Sequence, residues 1–151
     1  MYKNIVVGTD GSDTANVAVQ HAIELARLGG GTLHVVHAYQ DVSLGMAAMS
    51  AGSGGPVVDL DRLNVGLADN GTAVLEQAAG QCAAVGVKVE SHLVRSDPAD
   101  ALIGVAANVS ADLLVVGNRG MSGMKRFVLG SVPNRISHHT PCTLLIVRTI
   151  E

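Results

Sequence analysis

The amino-acid sequence predicts an α/β fold in which helices cover both faces of a parallel sheet. Short aliphatic runs such as residues 5–7 and 113–116 alternate with segments whose apolar residues recur at helical spacing. Hydrophobic residues make up 48% of the chain, but it contains one Phe and no Trp, which favours the aliphatic core typical of buried parallel strands. The length of 151 residues predicts a single domain spanning residues 1–151.

The predicted elements follow one another in a regular order along the chain. We expect the first helix to begin at Ser12 or Asp13, either of which can act as its N-cap, and to stop at glycines 29–31. Residues 43–56 are small, rich in glycine and without periodicity, so a mobile loop that can act as a lid is expected there. Strands are predicted at about 5–7, 33–38, 87–94, 113–116 and 144–147. Later helices are predicted at about 59–85, from Pro98 onward and at 131–138, and Gly66 and Gly71 weaken the first of these.

Composition and charge argue against several classes of partner. A net charge of −3 and a pI near 6.0 do not suit binding to a phosphate backbone, and few aromatic side chains are available to stack on bases. The apolar runs are too short for a membrane span or a leader segment. Cys82 and Cys142 have neither metal-ligand spacing nor disulfide density. We therefore expect a cytoplasmic protein that binds neither nucleic acid nor membrane.

The histidines and cysteines do not predict a metal site or a nucleophile. His34 and His37 would face opposite sides of one strand. His138 and His139 are adjacent rather than one helical turn apart, so a zinc site is not expected. Cys82 falls near the apolar stripe of its helix, which predicts core packing, and the chain has no G-x-S-x-G motif.

The most informative segment is residues 117–131, which has the skeleton G-x-x-G-x9-G-S between a strand and a helix. Gly117 and Gly120 can adopt positive φ and leave the backbone bare, so that main-chain N–H groups can approach an anion. Gly130 and Ser131 open the final helix, whose first N–H groups lack partners and carry the positive end of its dipole. A phosphate chain would meet donors from both elements. The segment is not a Walker A motif.

Three segments taken together resemble the ATP-binding branch of the universal stress protein family. They are VGTDGS at residues 7–12, VVG at 115–117 and the glycine skeleton of 117–131, and the resemblance extends over residues 3–149. It implies a Rossmann-like fold of the adenine nucleotide alpha hydrolase-like group, with an open five-stranded parallel sheet in the order 3-2-1-4-5. It also implies a homodimer formed through the C-terminal strand, and ATP bound with Mg²⁺.

The resemblance also assigns roles to single positions. Pro133 stands where other members can hold Ser or Thr, so one hydroxyl and one N–H are missing, and Ser96 replaces an expected Gly at the rim. Asp10 is open to two interpretations, a ligand of the nucleotide's Mg²⁺ or an Asx cap. Arg119 either pairs with a terminal phosphate or is a solvated surface residue. The implied nucleotide-binding residues are Gly8, Thr9, Asp10, Ala38, Gly117, Arg119, Gly120, Gly130, Ser131 and Val132.

The function implied is that of a nucleotide-dependent regulatory protein of the stress response. A slow ATPase or phosphotransferase is the alternative, and the glycine-rich segment 117–131 contains no obvious general base or water-positioning carboxylate, which favours the regulatory interpretation. AMP or cyclic AMP remains open as the ligand, because backbone N–H groups recognise phosphate rather than the length of a phosphate chain.

Overall fold

A five-stranded, all-parallel sheet lies at the centre of the fold. A computed structural model describes residues 1–51, 59–118 and 129–149. The strand order is β3-β2-β1-β4-β5, which confirms the predicted order and places β3 and β5 at the two edges. The strands are β1 (Asn4–Gly8), β2 (Thr32–Tyr39), β3 (Lys88–Arg95), β4 (Leu113–Gly117) and β5 (Thr143–Val147).

Helices cover both faces of this sheet, as the sequence predicts. One apolar core lies on the face of Val7 and Val35, and a second on the face of their neighbours Val6 and Val36. Because successive strand residues point to opposite faces, aliphatic runs without alternation supply both cores at once. In the described part of the chain no helix has the length and apolar content needed to cross a membrane. The helices are α1 (Asp13–Gly29), α2 (Leu44–Ala51), α3 (Leu60–Ala84), α4 (Pro98–Asn108) and α5 (Ser131–His139).

The helix ends follow the predicted capping residues. Ser12 is the N-cap of α1, and its Oγ accepts a hydrogen bond from the N–H of Ala15 at 3.2 Å. Gly30 ends α1 in the left-handed conformation at φ 60°. Asp97 is the N-cap of α4. Pro98 follows it in the first turn, where the missing N–H of proline costs no helix hydrogen bond.

The prediction of an aperiodic loop over residues 43–56 is wrong for residues 44–51, which form α2. Leu, Met and Ala are strong helix formers, and Gly45 does not interrupt the helix. The large apolar side chains that the structure describes in this helix are mostly exposed, with Leu44 at 73% and Met46 at 63% of full exposure. A helix without a buried apolar stripe has no periodicity to detect. Residues 52–58 of the predicted lid lie outside the described residues.

Glycine 71 determines how closely α3 approaches the sheet. Helix α3 continues through Gly66 and Gly71 without a break. A Cβ at Gly71 would lie 2.6 Å from Cδ1 of Leu93 and 2.7 Å from Cδ2 of His37. The His37 ring is itself held, because its Nδ1 lies 3.0 Å from the carbonyl oxygen of Thr9. Gly71 therefore permits close packing of α3 on β2 and β3.

We predict opposite effects of two Gly→Ala substitutions in α3. Gly71→Ala should lower the free energy of unfolding by about 1–2 kcal/mol, because overpacking outweighs the gain in helix propensity. Gly80→Ala is the matched control, since a Cβ there meets nothing within 4 Å, and it should stabilise the protein by up to about 1 kcal/mol. Urea denaturation of both variants measures the difference. Equal stability of the two would contradict the packing role of Gly71.

Candidate functional site

The carboxyl ends of β1 and β4 border a cavity of about 330 Å³. These strands are neighbours at the point where the chain order reverses, which is where open α/β sheets place their ligands. Arg119 and Gly120 lie outside the described residues. Every other predicted nucleotide-binding residue lines this cavity: Gly8, Thr9, Asp10, Ala38, Gly117, Gly130, Ser131 and Val132.

The loop after β1 is held by its own side chains. The Oδ1 of Asp10 accepts hydrogen bonds from the N–H of Ser12 at 3.0 Å and from its hydroxyl at 2.5 Å. The Oγ1 of Thr9 accepts one from the N–H of Gly11 at 3.2 Å. Gly11 has φ 81°, a left-handed conformation that favours glycine. The structure therefore shows the Asx arrangement that was one of the two interpretations of Asp10.

The amino terminus of α5 forms the opposite wall. Gly130 is its N-cap residue, and the N–H of Gly130 donates to the carbonyl oxygen of Asn118 at 3.0 Å. The N–H of Asn134 donates to the carbonyl oxygen of Gly130 at 3.0 Å and makes the first bond of the helix. The N–H groups of Ser131 and Val132 precede that bond, so they have no partner within the helix and are aligned with its positive end.

Gly130 acts in this wall by its small size rather than by unusual backbone angles. Among the described glycines, positive φ occurs at Gly11, Gly30 and Gly86. Gly117 does not use the positive φ that glycine permits, because it is the extended last residue of β4. Gly130 has φ −58° and ψ 160°, which any residue can adopt. A Cβ there would lie 3.3 Å from the carbonyl oxygen of Asn118, so a side chain would crowd the turn.

Asn118 is a positioning residue that the sequence analysis did not identify. Its N–H donates to the carbonyl oxygen of Val147 at 2.8 Å. Its Oδ1 accepts from the N–H and the hydroxyl of Thr149 at 2.9 and 2.8 Å. Together with the bond from Gly130, these contacts connect the ends of β4 and β5 to the start of α5. An amide side chain directly after the strand-ending Gly117 was the available signal, since Asn commonly hydrogen-bonds to nearby backbone.

Arg135 anchors α5 to α4. Its two terminal guanidinium nitrogens lie 3.0 Å from Oδ1 of Asp97 and 2.7 Å from Oδ1 of Asp100. The same Oδ1 of Asp97 accepts from the N–H of Ala99 at 3.0 Å, as the cap of α4. The groups are partly exposed, so each ion pair contributes little stability. Their effect is to fix the position of the α5 terminus beside the cavity.

The inner part of the cavity is apolar. Its lining includes Ala15, Val36, Leu102 and Val116, which suit the flat face of an aromatic ring. Ser96, expected at the rim, is not among the described residues that line the cavity. Its N–H instead donates to the carbonyl oxygen of Tyr39 at 2.9 Å and extends the pairing of β2 with β3.

Two groups outside the cavity were considered in the sequence analysis. Cys82 is fully buried, and burial raises the pKa of its thiol, so its predicted role in core packing is confirmed. His34 and His37 do face opposite sides of β2. His34 nevertheless meets Glu90 and His92 from the neighbouring strand, with its Nδ1 3.1 Å from Nε2 of His92. This pair joins two strands that are far apart in the sequence, so a comparison of histidines within one segment does not reveal it.

Comparison with known proteins identifies the family. The model of the universal stress protein family matches residues 1–148. The chain belongs to the universal stress protein family. This universal stress protein is 30% identical over 148 residues to universal stress protein YxiE of Bacillus subtilis, and the match covers 98% of this chain and 100% of the relative.

Solved structures of similar proteins contain nucleotides. A universal stress protein in complex with cAMP is 34% identical, has a TM-score of 0.73 and is matched over 99% of both chains. The universal stress protein from Archaeoglobus fulgidus in complex with dAMP is 25% identical with a TM-score of 0.67, over 97% of this chain and 98% of that one.

We predict that Asn118→Ala lowers the free energy of unfolding by about 1–3 kcal/mol, because two donors on Thr149 lose their acceptor in a partly buried site. Thr149→Val removes only the hydroxyl donor and should cost about 1 kcal/mol. Chemical denaturation of both variants gives the comparison. If Asn118→Ala is no less stable than Thr149→Val, the side chain of Asn118 does not hold the end of β5.

Proposed function

We propose that this universal stress protein binds ATP in the cavity between β1 and β4 and that nucleotide occupancy regulates its activity in the stress response. One observation carries the proposal: the amino terminus of α5 and the end of β4 meet at a cavity whose inner walls are apolar. Such a cavity offers a phosphate site and a base site side by side.

The phosphate site is formed by backbone N–H groups. Those of Ser131 and Val132 lie at the start of α5, where the helix dipole favours anions. Pro133 has no N–H, so the terminus offers one donor fewer than an ordinary helix. The hydroxyl of Ser131 and the segment containing Gly120 and Arg119 would supply the remaining contacts. This donor set supports binding in the micromolar range.

The base and ribose are assigned to the opposite side. Val36 and Ala38 follow each other on one face of β2 and line the cavity, so an adenine ring would rest against them. Thr9 and Asp10 would lie beside the ribose. The complexes of similar proteins with cAMP and dAMP support an adenine nucleotide as the class of ligand.

The charges near the cavity favour regulation over hydrolysis. Asp10 is the one carboxylate among the described residues that line the cavity, and its Oδ1 is engaged by Ser12. This carboxylate holds the loop after β1, and none of the described residues that line the cavity supplies a second carboxylate to act as general base. We propose that Asp10 contacts the nucleotide's Mg²⁺, because hard cations prefer carboxylate and phosphate oxygens.

The free thiols of Cys82 and Cys142 support a cytoplasmic location.

Calorimetry with ATP, AMP and cyclic AMP, each with and without Mg²⁺, tests the ligand. We expect micromolar binding of ATP that Mg²⁺ tightens, and no release of phosphate from bound ATP over many hours. Tighter binding of cyclic AMP or AMP would replace ATP as the ligand. The absence of heat with every adenine nucleotide would remove the proposed function.

Gly130→Asp should abolish nucleotide binding and leave the protein folded. At about 4 Å, like charges in a partly screened site repel by on the order of 4 kcal/mol, which is about a thousandfold in affinity. The angles of Gly130 suit a side chain, and Asp is a favourable N-cap. Gly130→Asn is the control of equal size without the charge. It should lose much less affinity, and equal losses in both variants would show that crowding, not charge, is responsible.

We also propose a homodimer formed through β5. This strand lies at a sheet edge and is aliphatic, and an exposed edge of that character invites pairing.

Thr143→Lys places a charge at an exposed position of β5 and should give monomers by light scattering. Ser91→Lys at the opposite edge, on β3, is the control and should stay dimeric. A monomeric parent at working concentration counts against this interface.

A further inference from the structure

Three potential metal ligands converge on the face of β2 and β3 that packs against α4. In the described part of the chain, His34, Glu90 and His92 are the group whose ligand atoms all lie within 4.8 Å of one another. His34 pairs with Glu90 in the register of the two parallel strands, and His92 is two residues further along β3. Side chains two residues apart share a face, so the register itself brings the three together. None of them lines the nucleotide cavity.

The two distances from His34 to the other ligand atoms fit one tetrahedral ion. Nδ1 of His34 lies 3.1 Å from Nε2 of His92 and 3.5 Å from Oε2 of Glu90. Ligand atoms held about 2.05 Å from a tetrahedral Zn²⁺ are about 3.3 Å apart. A single proton on Nδ1 of His34 can point directly at only one of these two neighbours. A metal ion placed between the three atoms accepts an electron pair from each.

The protonation and charge of the cluster also suit a divalent ion. Burial lowers the pKa of His34, against a smaller opposing effect of the Glu90 carboxylate. A neutral imidazole keeps a lone pair for coordination. Two imidazoles and one carboxylate form the ligand set found in several zinc sites, in which a fourth position holds water.

Access from solvent is provided by Glu90. Its side chain is 63% exposed, whereas that of His34 is 5% exposed. An ion would therefore enter past an exposed carboxylate and reach a buried imidazole. Mg²⁺ demands oxygen ligands and would not favour two imidazoles, so the site differs in metal preference from one formed by a nucleotide.

We propose that His34, Glu90 and His92 form a Zn²⁺ site with one open coordination position. The bound ion would link the edge strand β3 to β2. The site is independent of the nucleotide cavity. Because binding is available only to the folded chain, Zn²⁺ raises the midpoint of thermal unfolding, and chelation reverses this.

The test is titration of the metal-free full chain with Zn²⁺ alone, in the absence of nucleotide. We expect one Zn²⁺ per chain, a raised melting midpoint, and, when Co²⁺ replaces Zn²⁺, the visible absorption of a tetrahedral site. His92→Gln and Glu90→Gln should each weaken binding at least tenfold. Both side chains are partly or largely exposed, so both variants should fold. If either variant is unfolded without metal by circular dichroism, the other provides the test.

The matched control is the double variant His138→Gln and His139→Gln. It removes two histidines that are adjacent in the sequence at the end of α5 and whose ring centroids are 6.4 Å apart. It should bind Zn²⁺ as the parent does. Gly130→Asp should also bind Zn²⁺ normally, which separates this site from the nucleotide cavity. The proposal is overturned if the parent shows no saturable binding, if His92→Gln and Glu90→Gln bind like the parent, or if the control loses binding.

Discussion

The hydrogen bond from the N–H of Gly130 to the carbonyl oxygen of Asn118 fixes the geometry of the cavity. It brings the start of α5 back to the end of β4, although residues 118–130 separate the two elements along the chain. Asn118 is in turn held by Val147 and Thr149 at the end of β5. The edge strand therefore supports the wall of the cavity.

The sheet supplies a rigid base for this arrangement. Its three inner strands are covered on both faces, and residues such as Ile5, Leu33 and Leu114 are fully buried. Loops attached to such strands start from fixed positions, and the loop after β1 adds its own hydrogen bonds through Thr9 and Asp10. A site held in this way loses little conformational entropy when a ligand binds.

The sequence was sufficient to predict the strands and the helix caps, because these depend on local pattern. Most residues around the cavity were predicted from the resemblance to the family. It failed at α2, since a helix without a buried stripe carries no periodic signal. It also failed for Asn118, whose partners lie on another strand. The contact between His34 and His92 depends on the pairing of β2 with β3. The sequence of one strand alone does not determine the register of that pairing.

The double use of Asp97 has a consequence for evolution. One oxygen of this residue both caps α4 and receives Arg135 from α5. Replacement of Arg135 leaves the cap intact, whereas replacement of Asp97 disturbs two helices at once. Substitutions should therefore be tolerated more often at position 135 than at position 97. Among descendants of this chain, acidic residues at 97 should outlast their basic partner.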